Sequence, residues 1–212
     1  MISLAFLSPG RAADAAGLHP VARSPMERRQ RDAGAVFEER DGWLVPVSIP
    51  GEAEHLRTAA IGDLSHLGKI EVRTDRTSGW TPADTGRSHS YRISPRRTLV
   101  LCPTAETGRL LEEIARQPQC KLALDVTAAL GILAIAGPER WTVVRRLTHL
   151  HEAGSSGEVA HVNSVHLLEI DATVWLVFPQ EFGHYLWEVA VDRAVPLGGG
   201  PAGIDAILGK HA

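Results

Sequence analysis

Lysine is nearly missing from this chain, and other scarcities narrow the field further. Of 212 residues only Lys69, Lys121 and Lys210 are lysines, and 22 basic residues face 25 acidic ones for a formal charge of −3. That balance excludes the strongly basic footprint of a nucleic-acid binder. Two cysteines, Cys102 and Cys120, are too few for a disulfide scaffold or a structural zinc site. No apolar run approaches the ~20 residues that a membrane-spanning helix needs. The opening MISLAFLSPGR lacks the basic start and long apolar core of a secretory signal. What remains is 44% hydrophobic and 22% charged, enough to bury a proper core. The expectation is a soluble, cytoplasmic globular protein with no nucleic-acid and no membrane partner.

Residues 1–23 are rich in Ala, Gly and Pro without sustained periodicity and read as an N-terminal arm; residues 24–212 read as one folded domain. Ser24 is placed to cap a short helix with Pro25 at its first position, Glu27 completing a capping box and Gly34 as the left-handed stop. Strands are expected over Ala35–Glu39 and Trp43–Ser48 around an Asp41–Gly42 turn, then a helix over Glu52–Ala60 ending at Gly62. Lys69–Arg73 alternates as a half-buried strand, and Thr74–Arg87 reads as a loop. Two strands flank Ser94–Pro95, and Thr104–Arg116 is helical with Leu110, Leu111 and Ile114 on one face. KLALDVTAALGILAIAG contains a strand buried on both faces, and Pro138 opens a helix lined by Trp141, Val144 and Leu147. GSSG at 154–157 reads as a hinge or turn. Strands broken near Asp171 follow, then a helix over Gln180–Ala194 with a stripe of Phe182, Leu186 and Val189. Interleaved helices and hairpins argue for α+β architecture with split βαβ units. Asp63-Leu64-Ser65 recurs as Asp125-Val126-Thr127, each Asp and the hydroxyl beyond it being suited to satisfy free backbone N–H groups.

Few constellations carry chemistry. Ten histidines include His149, His151, His161 and His166, but no carboxylate or Cys stands near them at ligand spacing, so no metal is expected. Neither Cys lies in a CxxC; Cys102 reads as buried packing and Cys120 as the more exposed thiol. The run LGGGPAGIDAI lacks the phosphate-loop pattern and reads as a flexible connector to a short terminal helix. The Arg28–Arg29, Arg96–Arg97 and Arg145–Arg146 pairs suit either an anion, such as a polyglutamate tail or a phosphate, or plain solvated faces. Trp80, in the polar loop TSGWTPAD, suits either a partner contact or core packing. No catalytic centre is visible.

The segment GAVFEERDGWLVPVSIPGEAEHLRTAAIGDLSHLGKIEVR resembles the opening of the glycine-cleavage T-protein (aminomethyltransferase) family. That family carries a Gly-Trp-x-x-Pro-Val strand, a short helix, Asp-Val-Ser-His-Met-Gly and a Glu-Val strand. Here they stand as Gly42–Val47, as Asp63, Leu64, Ser65, His66, Leu67 and Gly68, and as Glu71–Val72. LALDVTAALGILAIAGPERWTVVRRL and VFPQEFGHYLWEVAVDRAVPLGGGPAGIDAI extend the likeness over residues 26–208. The resemblance implies a folate-binding-domain fold with ferredoxin-like split βαβ units, tetrahydrofolate as cofactor, and Ser65, His66 and Leu67 at the folate channel.

The departures imply something further. The family's Asn-x-x-Gly-x-x-x-Asp-Asp segment is replaced by TDRTSGWTPADTGRSHSYRISP, with Asp84 in no matching context, and its Tyr-Thr-Gly-Glu segment by LEIDATVWLV. No residue therefore inherits a catalytic role, and no counterpart of the T-protein's C-terminal barrel is expected. The short form ending in a Tyr-Leu-Trp helix is closer to the gamma subunit of heterotetrameric sarcosine oxidase. The resemblance implies an accessory, non-catalytic protein of folate-linked one-carbon and amine metabolism, with flavin-dependent amine oxidase subunits or a second copy of itself as partners. Its alternatives are a tetrahydrofolate-dependent aminomethyl- or methyltransferase and a stand-alone folate-binding module.

Overall fold

The computed structural model describes residues 16–18, 20–74, 80, 82 and 87–209. In chain order the strands are β1 Ala22–Arg23, β2 Val36–Arg40, β3 Trp43–Ser48, β4 Ala60–Asp63, β5 Gly68–Thr74, β6 His89–Ser94, β7 Arg97–Cys102, β8 Cys120–Asp125, β9 Leu130–Ala136, β10 Ser155–Val159, β11 Val162–Ile170, β12 Thr173–Pro179 and β13 Gly200–Pro201. The helices are α1 Glu27–Asp32, α2 Glu52–His55, α3 Thr107–Ala115, α4 Arg140–Arg145, α5 Gly183–Ala194 and α6 Ile204–Leu208. Two compact units result. One is built on His66–Ala129, the other on Ala22–Ser65 and Leu130–Ala212. The architecture is α+β, as expected.

In the first unit the sheet order is β6-β7-β5-β8, with β5 antiparallel to both neighbours. Strands β7 and β8 therefore run parallel with β5 between them, and α3 connects them in a split βαβ unit. Leu110, Leu111 and Ile114 of α3 pack on Ile70, Val72 and Val100 of the sheet. The period of 3.6 in the helix and of 2 in the strand place these apolar side chains face to face.

The second unit has a six-stranded sheet in the order β10-β11-β12-β9-β4-β13, in which only the β4–β13 pair is parallel. On one face Ile61, Leu133, Ile135, Leu176 and Phe178 pack with Val143 and Val144 of α4 and Leu186, Trp187 and Ala190 of α5. The opposite face at β4 and β9 carries Ala60 and Ala136, packed with Ala202, Leu56 and Ile207. Residues alternate across the pleat, so β9 is buried on both faces. Strands β1, β3 and β2 form a small second sheet. Its β2–β3 turn places Asp41 at φ 49° and Gly42 at φ 76°, the left-handed pair that a two-residue hairpin needs.

Several expectations shift against this fold. The helix expected to reach Ala60 stops at His55, and Ala60–Asp63 is a strand. Those residues are buried and lie between two strands, so sheet burial outweighs their helix propensity. Ser24 Oγ does accept the Met26 amide at 3.1 Å, but the buried Glu27 carboxylate is taken by Arg23 and Arg31, each at 2.8 Å, and the capping box does not close. Of the hinge or turn expected at GSSG the turn is found, with Gly154 at φ 85°, but Ser155 already opens β10. Phe182 is 39% exposed and leaves the core stripe to Leu186, Trp187, Ala190 and Ala194, because Gln180–Phe182 winds as a 3₁₀ turn and offsets the helical phase. The glycine run is held rather than flexible, with Gly200 and Pro201 paired to Ala60 and Ile61. Asp84, most of the Thr74–Arg87 loop and residues 1–15 and 19 of the arm lie outside the described residues. The arm's last two residues form β1, parallel to Trp43–Leu44.

Candidate functional site

Strand β4 ends at Asp63, where the sequence places its resemblance to a folate channel. Asp63 is 1% exposed, and its Oδ1 accepts the Ser65 amide at 2.9 Å in an Asx turn. Its Oδ2 accepts from Gln30 Nε2 at 2.6 Å, so α1 is tied to the end of the strand. Leu64 N–H donates to the Ile132 carbonyl at 2.9 Å, and Ser65 Oγ accepts the Ile132 amide at 3.1 Å. The hydroxyl thereby replaces a backbone carbonyl one step beyond the Asp63–Leu133 pair.

The first unit repeats this clasp. Asp125 Oδ1 accepts the Thr127 amide at 2.9 Å, Val126 N–H donates to the Lys69 carbonyl at 2.8 Å, and Thr127 Oγ1 accepts the Lys69 amide at 3.0 Å. The sequence echo is thus a structural echo, and in both copies the carboxylate and hydroxyl serve the backbone, as expected.

His66 and Leu67 follow in the first unit and are half-buried. The His66 carbonyl accepts from Thr104 Oγ1 at 2.6 Å, and the Leu67 carbonyl accepts from Lys69 Nζ at 2.7 Å. At Gly68 any side chain would collide with Thr107 Oγ1 and Cys102 Sγ, so glycine is required there by contact. Of the three residues implied by resemblance, Ser65 is closed off at 1% exposure, whereas His66 and Leu67 keep exposed side-chain surface. For a folate, this loop offers an imidazole and an aliphatic side chain but no hydroxyl.

Lys69 is the residue that pattern reading missed. Alternation along Lys69–Arg73 predicts a half-exposed side chain, yet Lys69 is fully buried. A buried ammonium is costly without partners, and the Leu67 carbonyl is one of them. The signal available was the choice of Lys itself in a chain with only three lysines.

Neither thiol is activated. Burial pushes the Cys102 thiol up, with the Thr107 hydrogen bond opposing, and burial likewise raises Cys120. Both remain neutral thiols near neutral pH. Cys102 is 3% exposed, as its packing role requires. Among the described residues no group of three His, Cys, Asp or Glu side chains is arranged to hold a metal. Trp80 packs, half-buried, against the core of the first unit and lines a cavity of about 250 Å³ with Val100, Leu110 and Ile114. No described helix is long and apolar enough to cross a membrane.

No family model matches the chain. The aminomethyltransferase of Mycobacterium tuberculosis (strain ATCC 25618 / H37Rv) is 53% identical over 147 residues, covering 61% of this chain and 37% of that protein. The chain spans 14–37% of the length of the first aminomethyltransferases that it matches. Among solved structures, the glycine cleavage system aminomethyltransferase T from Bartonella henselae superposes with a TM-score of 0.64 at 17% identity, over 88% of this chain and 60% of that one. A chain of the heterotetrameric sarcosine oxidase from Corynebacterium sp. U-96 superposes with a TM-score of 0.60 at 14% identity, over 84% and 97%. In sequence the chain is thus similar to part of the aminomethyltransferases, and in fold to an aminomethyltransferase T and to a chain of heterotetrameric sarcosine oxidase.

Proposed function

We propose that the chain is an accessory, non-catalytic T-protein-like protein of folate-linked one-carbon and amine metabolism. In this reading it works in the cytoplasm beside flavin-dependent amine oxidase subunits. The likeness in fold to a chain of heterotetrameric sarcosine oxidase supports that choice of partner. The observation that carries the reading is the Ser65–Leu67 loop. Its hydroxyl accepts a strand amide and its two following carbonyls accept from Thr104 and Lys69, so the hydroxyl and both carbonyls serve the chain itself. The replaced acidic segment supports the same conclusion, since a positioned general acid or base is worth ~10²–10⁴ in rate. Tetrahydrofolate, where it binds, rests against His66 and Leu67, with Ser65 holding the loop.

The test is to incubate the purified chain with tetrahydrofolate and an aminomethyl donor, and to titrate tetrahydrofolate by tryptophan fluorescence. The expected result is no methylenetetrahydrofolate above the uncatalysed rate, and any folate affinity weakened by His66→Ala at unchanged melting temperature. One observation favours a second reading, a working tetrahydrofolate-dependent transferase: the 53% identity to the mycobacterial aminomethyltransferase. Product formation well above background would select it.

A further inference from the structure

The second unit carries a groove of about 570 Å³ beside α4 and α5 that the folate reading leaves unused. Arg145, Arg146 and Arg193 line it, with His149 and His161 beside them. Many of the other arginines face carboxylates, among them Arg29 with Glu188, Arg40 with Asp205, Arg97 with Glu71 and Arg140 with Glu169. The groove arginines differ. Arg145 donates to Thr142 Oγ1 at 3.0 Å and Arg146 to the Arg193 carbonyl at 2.9 Å. Among the described residues no carboxylate pairs with any of the three. The one acid in the groove, Glu158, lies 3.4 Å from His161 Nδ1. A protein of net charge −3 thus gathers unpaired guanidinium groups in one concave place.

The rest of the lining says what kind of anion fits. Tyr185 is 41% exposed at the wall, and Val189 and Leu150 are half-buried beneath it. Tyr185 and Val189 are spaced i, i+4 on one face of α5, and Phe182, in the turn before the helix, is exposed as well. Exposed aromatic residues beside arginine are the composition of protein interfaces, in which lysine and acids are depleted. The volume holds several residues of peptide and far exceeds what a lone phosphate needs. Arginine's planar fork pairs in two-point fashion with carboxylates as with phosphates, and the Tyr185, Val189 and Leu150 wall beside it suits a segment that brings an apolar side chain along with its acids.

We propose that this groove docks an acidic peptide segment of a protein partner. Arg145, Arg146 and Arg193 pair with its carboxylates, and an apolar side chain of the segment packs on Tyr185. The proposal stands on the second unit alone, whether or not the chain binds folate.

The probe is fluorescently labelled acetyl-Glu-Asp-Glu-Leu-Glu-Asp, titrated with the full chain and followed by anisotropy. Saturable binding is expected, weakening as salt rises from about 50 to 300 mM. Arg145→Glu and Arg193→Glu should each weaken it roughly tenfold by replacing attraction with repulsion. Tyr185→Ser should weaken it severalfold, while Arg57→Glu, the same charge change at an exposed residue outside the groove lining, should not. All four positions are exposed, and melting curves verify that each variant folds. Absence of saturable binding, or binding indifferent to both groove reversals, would overturn the proposal. So would tighter binding to polyphosphate or to phosphatidylserine vesicles than to the peptide. The folate titration reads the other site, so failure of one leaves the other standing.

Discussion

Thr127 holds Lys69 by its backbone, with the threonine hydroxyl accepting the lysine amide at 3.0 Å beside the Val126–Lys69 amide–carbonyl bond. Ser65 holds Ile132 in the same way in the other unit. In each case a strand has ended in an Asp, and the chain turns away from its neighbour. A side-chain oxygen then substitutes for the carbonyl that the departing backbone no longer offers. The substitution matters because a buried amide without an acceptor costs ~1–3 kcal/mol.

Removing either hydroxyl should carry that cost. Thr127→Val keeps the shape and should lose ~1–3 kcal/mol, as should Ser65→Ala, while Thr127→Ser should recover most of the loss. Urea unfolding at constant m measures the difference. A Thr127→Val protein as stable as the parent would show that the amide finds another acceptor and that the clasp is incidental.

The two aspartates should differ from each other. Asp125→Ala removes the acceptor of one turn and should cost ~0.5–2 kcal/mol. Asp63→Ala should cost more, since it also strips the fully buried Gln30 of its 2.6 Å partner and leaves that amide unmet. Adding Gln30→Leu to Asp63→Ala should return part of the loss, a coupling that a double-mutant cycle reads directly. Equal costs for the two aspartates would mean that the Gln30 bond contributes nothing.

The clasp was legible from residue types, because an Asp two residues before a hydroxyl has few other uses at a strand end. The Asp41–Gly42 hairpin was legible for the same local reason, and so was the apolar face of α3. What escaped depended on distant partners. Ala60–Asp63 carries no β-branched stretch and reads as a helix end, yet its neighbours across the sheet lie 70 to 76 residues away, at Leu133–Ala136. Lys69 alternates correctly for an exposed position, and only the packing of the first unit shows it to be buried. The site was read in part: the segment was placed by resemblance, but the burial of Ser65 could not be inferred from spacing.

Glu71 gives the fold an acid-sensitive contact. Partial burial disfavours its charged form, but hydrogen bonds from Arg97 at 2.8 Å and Arg73 at 2.7 Å outweigh burial and hold the carboxyl below its ordinary range. The native state therefore binds its proton later than the unfolded chain does. The stabilisation is fully present above the unfolded value of about 4.3 and is lost as pH falls through the lower native value. Both arginines are about half exposed, so screening limits the effect to ~1 kcal/mol or less. Glu71→Gln should lower stability at pH 7 and converge with the parent in strong acid, and a pH series of unfolding midpoints tests it. A gap that stays constant down to strong acid would assign the effect to packing instead.

Gly62 gives the sharpest test of the corrected strand. Read as a helix stop, its glycine would be needed for a left-handed backbone, and alanine would strain it. In the strand its φ is not positive, and its need is room: a Cβ would come within 2.6 Å of Ile207 Cγ1 and 3.2 Å of Cδ1. Ile207 sits on α6, which closes the alanine-rich face of the sheet, so the collision pushes α6 off Ala60 and Ala136. Gly62→Ala should therefore cost ~1–3 kcal/mol through overpacking. Ile207→Ala alone costs apolar contact, but combined with Gly62→Ala it should be less damaging than the sum of the two. Backbone strain would predict strict additivity, because trimming Ile207 cannot relieve a forbidden φ. The double-mutant cycle in urea unfolding thus separates the two readings by the sign of one coupling energy. A coupling near zero would show that the Ile207 contact is not what requires glycine here.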